Sequence, residues 1–172
     1  AEFKFLKNDK VKIKRIKNNK IIKKIFDNSI LVWTKQYREA KSVLKDQKKN
    51  IHKNFSKLKL LNEISNSSMS LFIKKKFDLK KFSELLDRNW LIKKSLSKKI
   101  SSNHNDKFYN KSKKNGTMGG KILGAGGGGF FFLIYNKLEK KKFFKFIKNF
   151  NYIKCLPSQR GTEVIYKNIS SE

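Results

Sequence analysis

The sequence predicts an α+β domain in which a mainly antiparallel sheet packs with helices and a strand hairpin comes first. Three observations predict it. Short apolar runs with strand patterning sit at both ends of the chain, a long middle stretch repeats its apolar residues every three or four positions, and glycines cluster where the second pattern gives way to the first.

Phe3 and Phe5 alternate with polar neighbours, Asn8 and Asp9 supply turn chemistry, and Val11, Ile13 and Arg15 alternate again, so residues 2–16 read as a hairpin. A short lysine-rich segment follows, to which no element is assigned. Residues 29–34, Ser-Ile-Leu-Val-Trp-Thr, form the compact apolar run of a buried strand. Tyr37, Ala40 and Leu44 then recur at helical spacing. Ile51, Phe55, Leu58, Leu61, Ser65, Ser68 and Phe72 continue one face through a long second helix. Asp78 stands at an N-cap position before Leu79, Phe82, Leu86 and Trp90, which predicts a third helix reaching about Ser95. A short fourth helix runs from Asn105 to Asn115, with Gly116 where a left-handed capping residue belongs. Strands are expected at 120–123, 130–136, 151–156 and 162–167, with an amphipathic helix over 138–149 and a turn at Pro157. One domain, 1–172, is expected, with strands in 1–34, a helical block in 35–116, and a glycine loop with its sheet in 117–168.

Bulk composition bounds the function. With 172 residues, 38% hydrophobic and 13% aromatic, the chain can fill one core. Its longest strongly apolar run, Phe130 to Tyr135, is far short of the roughly 20 residues of a membrane helix, and nothing near Ala1 resembles a basic-then-apolar signal peptide. A soluble, cytoplasmic protein without a membrane partner is expected. Cys155 is alone and cannot form a disulfide framework, and His52 and His104 lie far apart and read as surface residues. No metal site is expected from them. The chain begins at Ala1 and passes directly into strand-like sequence, which suggests a processed or truncated amino terminus.

A formal charge of +30 taken alone points to a nucleic-acid or membrane-surface partner. Lysine supplies nearly all of it, for only Arg15, Arg38, Arg88 and Arg160 carry the planar fork that reads base edges. Asn, Ile and Phe are also abundant and, like lysine, have AT-rich codons, so one compositional bias accounts for all four excesses. Solvated lysine faces are therefore expected, and nucleic acid is not the expected partner.

Eight of the nine glycines fall between Gly116 and Gly129. Glycine costs backbone entropy, so such a run between two apolar strands implies backbone angles closed to other residues or a very close approach by a ligand. Successive exposed N–H groups there would form a nest for an anion, commonly a phosphoryl group. Known phosphate motifs fit poorly. A P-loop needs Gly-Lys-Ser/Thr after the last glycine, where this chain has Gly129-Phe130-Phe131. Gly124, Gly126 and Gly129 match the dinucleotide spacing, but that motif must open a helix and a strand follows here. A protein-kinase loop does join two strands, yet the short remainder of the chain cannot hold that catalytic domain. A tight hairpin without a ligand is the bland alternative.

The stretch Gly119-Gly-Lys-Ile-Leu-Gly-Ala-Gly-Gly-Gly-Gly-Phe130 resembles the third signature motif of the GHMP kinases. Residues 82–96, Phe-Ser-Glu-Leu-Leu-Asp-Arg-Asn-Trp-Leu-Ile-Lys-Lys-Ser-Leu, resemble the helix before that loop in the D-glycero-D-manno-heptose 7-phosphate kinase branch. Thr34 to Leu44, with Thr34, Arg38 and Ala40, and Gly161 to Tyr166 are similar to further parts of the same branch. The resemblance implies the ferredoxin-like carboxy-terminal domain of an ATP-dependent sugar kinase, with the loop beside the bound phosphates. It implies ATP and Mg²⁺ as cofactors, held mainly by an amino-terminal domain that would be this chain's partner. The acceptor implied is the anomeric hydroxyl of a heptose 7-phosphate. Gly124, Ala125, Gly126, Gly127, Gly128 and Gly129 would form the phosphate- or substrate-binding loop, and Thr34, Arg38, Trp90, Lys93 and Lys121 are candidate substrate contacts. Two departures stand out. Lys35 replaces the glycine that usually follows Thr34, and the Pro-x-x-x-Gly-Leu-x-Ser-Ser loop that binds ATP phosphates does not occur, so the segment alone is not expected to catalyse transfer.

On a helical wheel Phe82, Leu85, Leu86, Trp90 and Leu96 form one apolar arc, and Lys93 falls inside it. A buried ammonium is expensive unless paired, so Lys93 either snorkels past the helix end or meets an anion, here a sugar phosphate. Trp90 reads as a core residue or a sugar-stacking platform, and Arg38 as an ion-pair residue or a ligand contact. Two other readings are an RNA-binding module, with Phe130 to Tyr135 as its aromatic strand, and an inactive kinase remnant.

Overall fold

A computed structural model of the chain describes residues 2–37 and 39–158. The hairpin forms as expected, with β1 (Glu2–Phe5) and β2 (Val11–Lys14) antiparallel and Asp9 at a positive φ of 58° in the turn. The lysine-rich segment is a helix, α1 (Asn19–Phe26), capped by the Asn18 side chain and anchored by buried Ile21 and Ile25. Ile21 and Ile25, one turn apart, face inward with Ile22 and Phe26 half-buried beside them, while Lys20, Lys23 and Lys24 stay exposed.

After β3 (Ser29–Trp33) the helical block contains α2 (Ala40–Lys49), α3 (Phe55–Ile73), α4 (Leu79–Lys94) and α5 (Asn103–Lys114). Asp78 caps α4, accepting from the Lys81 N–H at 3.0 Å, and Gly116 takes a φ of 95° just beyond α5. The expected face of α3 holds at Leu58, Leu61, Ser68 and Phe72 and fails at Ile51, Phe55 and Ser65. Ile51 lies before the helix, Phe55 and Ser65 are exposed, and the inward positions are Leu58, Leu61, Ile64, Ser68, Leu71 and Phe72. Buried Asn54 donates to Leu96 O at 2.9 Å, and this contact seats the start of α3 against the end of α4 and sets which stripe faces in.

The strands β4 (Thr117–Ile122), β5 (Phe130–Tyr135) and β6 (Tyr152–Lys154) join β3 in one sheet ordered β4-β5-β3-β6, antiparallel throughout. A 3₁₀ turn (Lys137–Glu139) and α6 (Lys140–Ile147) connect β5 to β6. The strand sequence β3, β4, β5, β6 with that spatial order is the ferredoxin-like split βαβ pattern, interrupted after β3 by the helical block. The expected strand 162–167 lies outside the described residues.

Alternation along β5 divides the interior. Phe131, Leu133 and Tyr135 join Trp90, Phe108, Ile122, Phe143 and Ile147 in the main core, while Phe132 packs against a second cluster of Ile21, Ile25, Leu71 and Phe77. Helix α4 approaches β4 closely enough that a Cβ on Gly119 would sit 1.9 Å from the Ser83 carbonyl oxygen. No bulkier residue fits there without moving the helix. Among the described residues no helix is long and apolar enough to cross a membrane.

Candidate functional site

The β4–β5 connection, residues 123–129, lies at the end of the sheet where β3 and α4 also terminate. Gly124, Gly126, Gly127 and Gly129 all adopt positive φ, between 67° and 102°, so the loop follows a path that side chains disfavour. One side of it is clasped. Gly127 N–H donates to Ile100 O at 2.7 Å and Gly129 N–H to Gln36 O at 2.9 Å. Thr34 holds the Gly129 carbonyl twice, through its N–H at 2.9 Å and its hydroxyl at 2.8 Å. Gln36 is itself fixed, its Oε1 accepting from Ser102 Oγ at 3.0 Å and Asn105 Nδ2 at 2.9 Å. The other amides, of Gly124, Ala125, Gly126 and Gly128, have no backbone acceptor among the described residues. The loop is therefore braced by four carbonyl and amide contacts, and of its remaining amides those of Gly124, Ala125 and Gly128 belong to residues that are not buried, whereas Gly126 is buried.

Two lysines flank it. Lys93, in the last turn of α4, donates from Nζ to the Gly124 carbonyl at 2.6 Å. Lys121, on β4, donates to Asn89 Oδ1 at 3.2 Å. Both are half-buried, and among the described residues neither has a carboxylate in ion-pair contact. Burial lowers the Lys93 ammonium to a pKa of about 8, with the neighbouring Lys121 charge adding to the effect. Burial also lowers Lys121. Two neighbouring cations that burial has stripped of part of their solvation are a place where an anion would be favoured.

The remaining sequence candidates divide. Thr34 is 6% exposed and braces the loop. Trp90 is corrected: at 0% exposure, edge-on to Phe131 and Tyr109 in the core, it has no surface to offer a sugar. Arg38 lies outside the described residues. His52 and His104 are exposed, as expected. The RNA-binding reading of β5 loses its basis, because Phe131, Leu133, Ile134 and Tyr135 are buried and cannot stack on bases. Gln36, Asn89, Ile100, Ser102 and Asn105 complete the site without having been picked out. Asn89 stands one helical turn before Lys93 and was within reach of pattern reading; the others act through backbone atoms or loop contacts that carry no sequence signal.

Lys35 has a φ of 56°, left-handed and strained for a side-chain-bearing residue. A glycine after Thr34 would adopt this φ without strain.

Comparison with known proteins fits this geometry. The family described as GHMP kinases C terminal matches residues 68–153, half of the chain, including α4, the loop and β5. No curated protein matches the sequence. Among solved structures, the chain superposes on mevalonate kinase from Methanococcus jannaschii with a TM-score of 0.60 at 20% identity, covering 86% of this chain and 44% of that one. The L. major mevalonate kinase in complex with R-mevalonate gives 0.60 at 18%, covering 70% and 37%. A D-glycero-D-manno-heptose 1-phosphate kinase from Bacteriodes thetaiotaomicron gives 0.53 at 18%, covering 88% and 40%. The chain thus spans well under half the length of these structures, and at such identity they attest the fold alone. With the family match over the loop and its supporting helix, the chain belongs to the GHMP kinases, of which it contains the carboxy-terminal domain.

Proposed function

We propose that this chain is the substrate-side part of an ATP-dependent small-molecule kinase whose acceptor is a phosphorylated sugar, a heptose 7-phosphate phosphorylated at its anomeric hydroxyl. The observation that carries the reading is the braced glycine loop with free amides, flanked by Lys93 and Lys121 and lacking a carboxylate among the described residues. ATP supplies the phosphoryl group in such a reaction. The acceptor oxygen forms the new bond to phosphorus as the bond to the leaving diphosphate breaks, and the acceptor proton passes to a base outside this segment. Loop amides and the two ammonium groups would orient the anionic reactants and offset negative charge. Among the described residues no three His, Cys, Asp or Glu side chains gather, so a magnesium ion would take its ligands from phosphates and from another domain.

A second observation supports a nucleotide-binding partner domain. The register Phe3↔Ile13 and Phe5↔Val11 puts four apolar side chains on one hairpin face, and all four are exposed. Such a face suits packing against the remaining half of the kinase. Cytoplasmic location belongs to the same proposal.

The test is ADP release by the full-length protein with a panel of acceptors: heptose 7-phosphates, unphosphorylated sugars and mevalonate. Turnover on a heptose 7-phosphate is expected. Turnover confined to mevalonate or free sugars removes the acceptor assignment, and no turnover on any of them removes the kinase reading.

A further inference from the structure

The opposite end of the β4–β5 hairpin carries a feature the kinase reading does not use. Two open hollows of about 590 Å³ each adjoin there and share Lys24, Leu79 and Lys80. Met118 and Tyr135, at the start of β4 and the end of β5, form part of the floor. In the first hollow Lys20, Lys23, Lys137 and Lys140 join the shared pair, and in the second Lys74, Lys76 and Lys81 do. Half of the lining residues are lysine, against under a quarter of the whole chain, so compositional bias alone does not produce the density.

Among the described residues that line the hollows the carboxylates are Asp27 and Asp78, and both are engaged. Asp27 pairs with Lys23 at 3.1 Å, and Asp78 caps α4. Lys24 is held by the Phe77 carbonyl at 3.2 Å, which joins α1 to the start of α4 and keeps the rim in shape. The result is a continuous concave trough of positive charge. Its cations are lysines, point charges on flexible stems that neutralise phosphates without the bidentate geometry that reads bases. Its recessed shape admits a chain of phosphates, whereas a bilayer presents a broad surface that meets protrusions.

We propose that this trough binds the phosphodiester backbone of nucleic acid without sequence preference. The low arginine content that argues against base readout agrees with this mode. The trough and the glycine loop lie at opposite ends of the sheet, so the two assignments stand or fall separately.

The experiment measures fluorescence anisotropy of labelled single-stranded and duplex oligonucleotides of about 20 nucleotides with the full-length protein across a salt series. One variant carries Lys20→Gln, Lys80→Gln, Lys137→Gln and Lys140→Gln. A charge-matched control carries Lys41→Gln, Lys45→Gln, Lys48→Gln and Lys49→Gln on the exposed side of α2. The trough variant is expected to lose about tenfold or more in affinity and to flatten the salt slope by about 3 for single strands, while the control changes less than about threefold. Comparison of the single-stranded and duplex arms identifies the preferred form. Equal losses in both variants, or no binding by the unaltered protein, overturn the proposal. So does a trough variant that releases phosphatidylserine vesicles but retains the oligonucleotide, which would assign the surface to membrane.

Discussion

Substituting Gly119 by alanine tests how the site is assembled. The new methyl would stand 1.9 Å from the Ser83 carbonyl oxygen and 2.7 Å from its carbon, both backbone atoms of α4 that no rotamer change can remove. Ordinary contact needs about 3.5 Å, so α4 has to retreat from β4 by roughly 1.5 Å. That retreat loosens the packing of Trp90, fully buried near Ile122 and Phe131. Overpacking together with lost contacts amounts to about 3 kcal/mol, or on the order of 6–12 °C in Tm for a chain of this size. Urea unfolding with an unchanged m value measures it. Gly124→Ala provides the contrast, since nothing lies within 4 Å of its added methyl and only its φ of 67° is unfavourable. That substitution is expected to cost about 1 kcal/mol. A Gly119→Ala loss below about 1 kcal/mol, or one equal to that of Gly124→Ala, refutes the argument that helix–strand proximity positions Lys93 beside Lys121.

Other consequences can be measured on the same protein. Lys35→Gly relieves the left-handed strain at φ 56° and is expected to stabilise the fold by about 1 kcal/mol, read as a higher urea midpoint. Gly128→Ala brings a methyl within 2.3 Å of the Gln36 carbonyl oxygen and should displace the loop, lowering kcat/KM about 100-fold while Tm changes by only a few degrees. Unchanged turnover in that variant would separate the loop from the chemistry. Burial holds Lys93 to a pKa of about 8 against 10.5 unfolded, so the unfolded chain retains the proton at higher pH and stability rises between those values. Solvent screening limits the gain to about 1 kcal/mol, and Lys93→Met should remove it, as unfolding curves at pH 7, 9 and 10.5 would reveal.

Much of the fold was legible because local chemistry and tertiary structure agree. Asp78 announces α4 as an N-cap, Gly116 ends α5 in a left-handed conformation, and the unbroken apolar run at 130–135 is a strand buried between two others. Helix α1 was hidden because Lys20, Lys23 and Lys24 outweigh the paired Ile21 and Ile25, although Asn18 was a usable start signal. The start of the α3 face was misread because Ile51 and Phe55 extend the apolar spacing into a turn whose direction Asn54 sets through a contact with Leu96, distant in sequence. At the site, the glycine run identified the loop and the wheel identified Lys93. The meeting of Lys93 with Lys121 depends on α4 lying against β4, and the loop's brace depends on the Gln36 and Ile100 carbonyls. Neither has a side-chain pattern to read.

Titration of Lys93 by NMR of isotopically labelled lysine side chains, with and without inorganic phosphate at matched ionic strength, tests most directly whether the loop and its lysines receive an anion. The amine is predicted to titrate near 8 in chloride and to move up toward the ordinary lysine range when phosphate is added, because a bound anion favours the charged form. A pKa that phosphate leaves unmoved, with no accompanying shift in the amides of Gly124, Ala125, Gly126 and Gly128, would contradict the account.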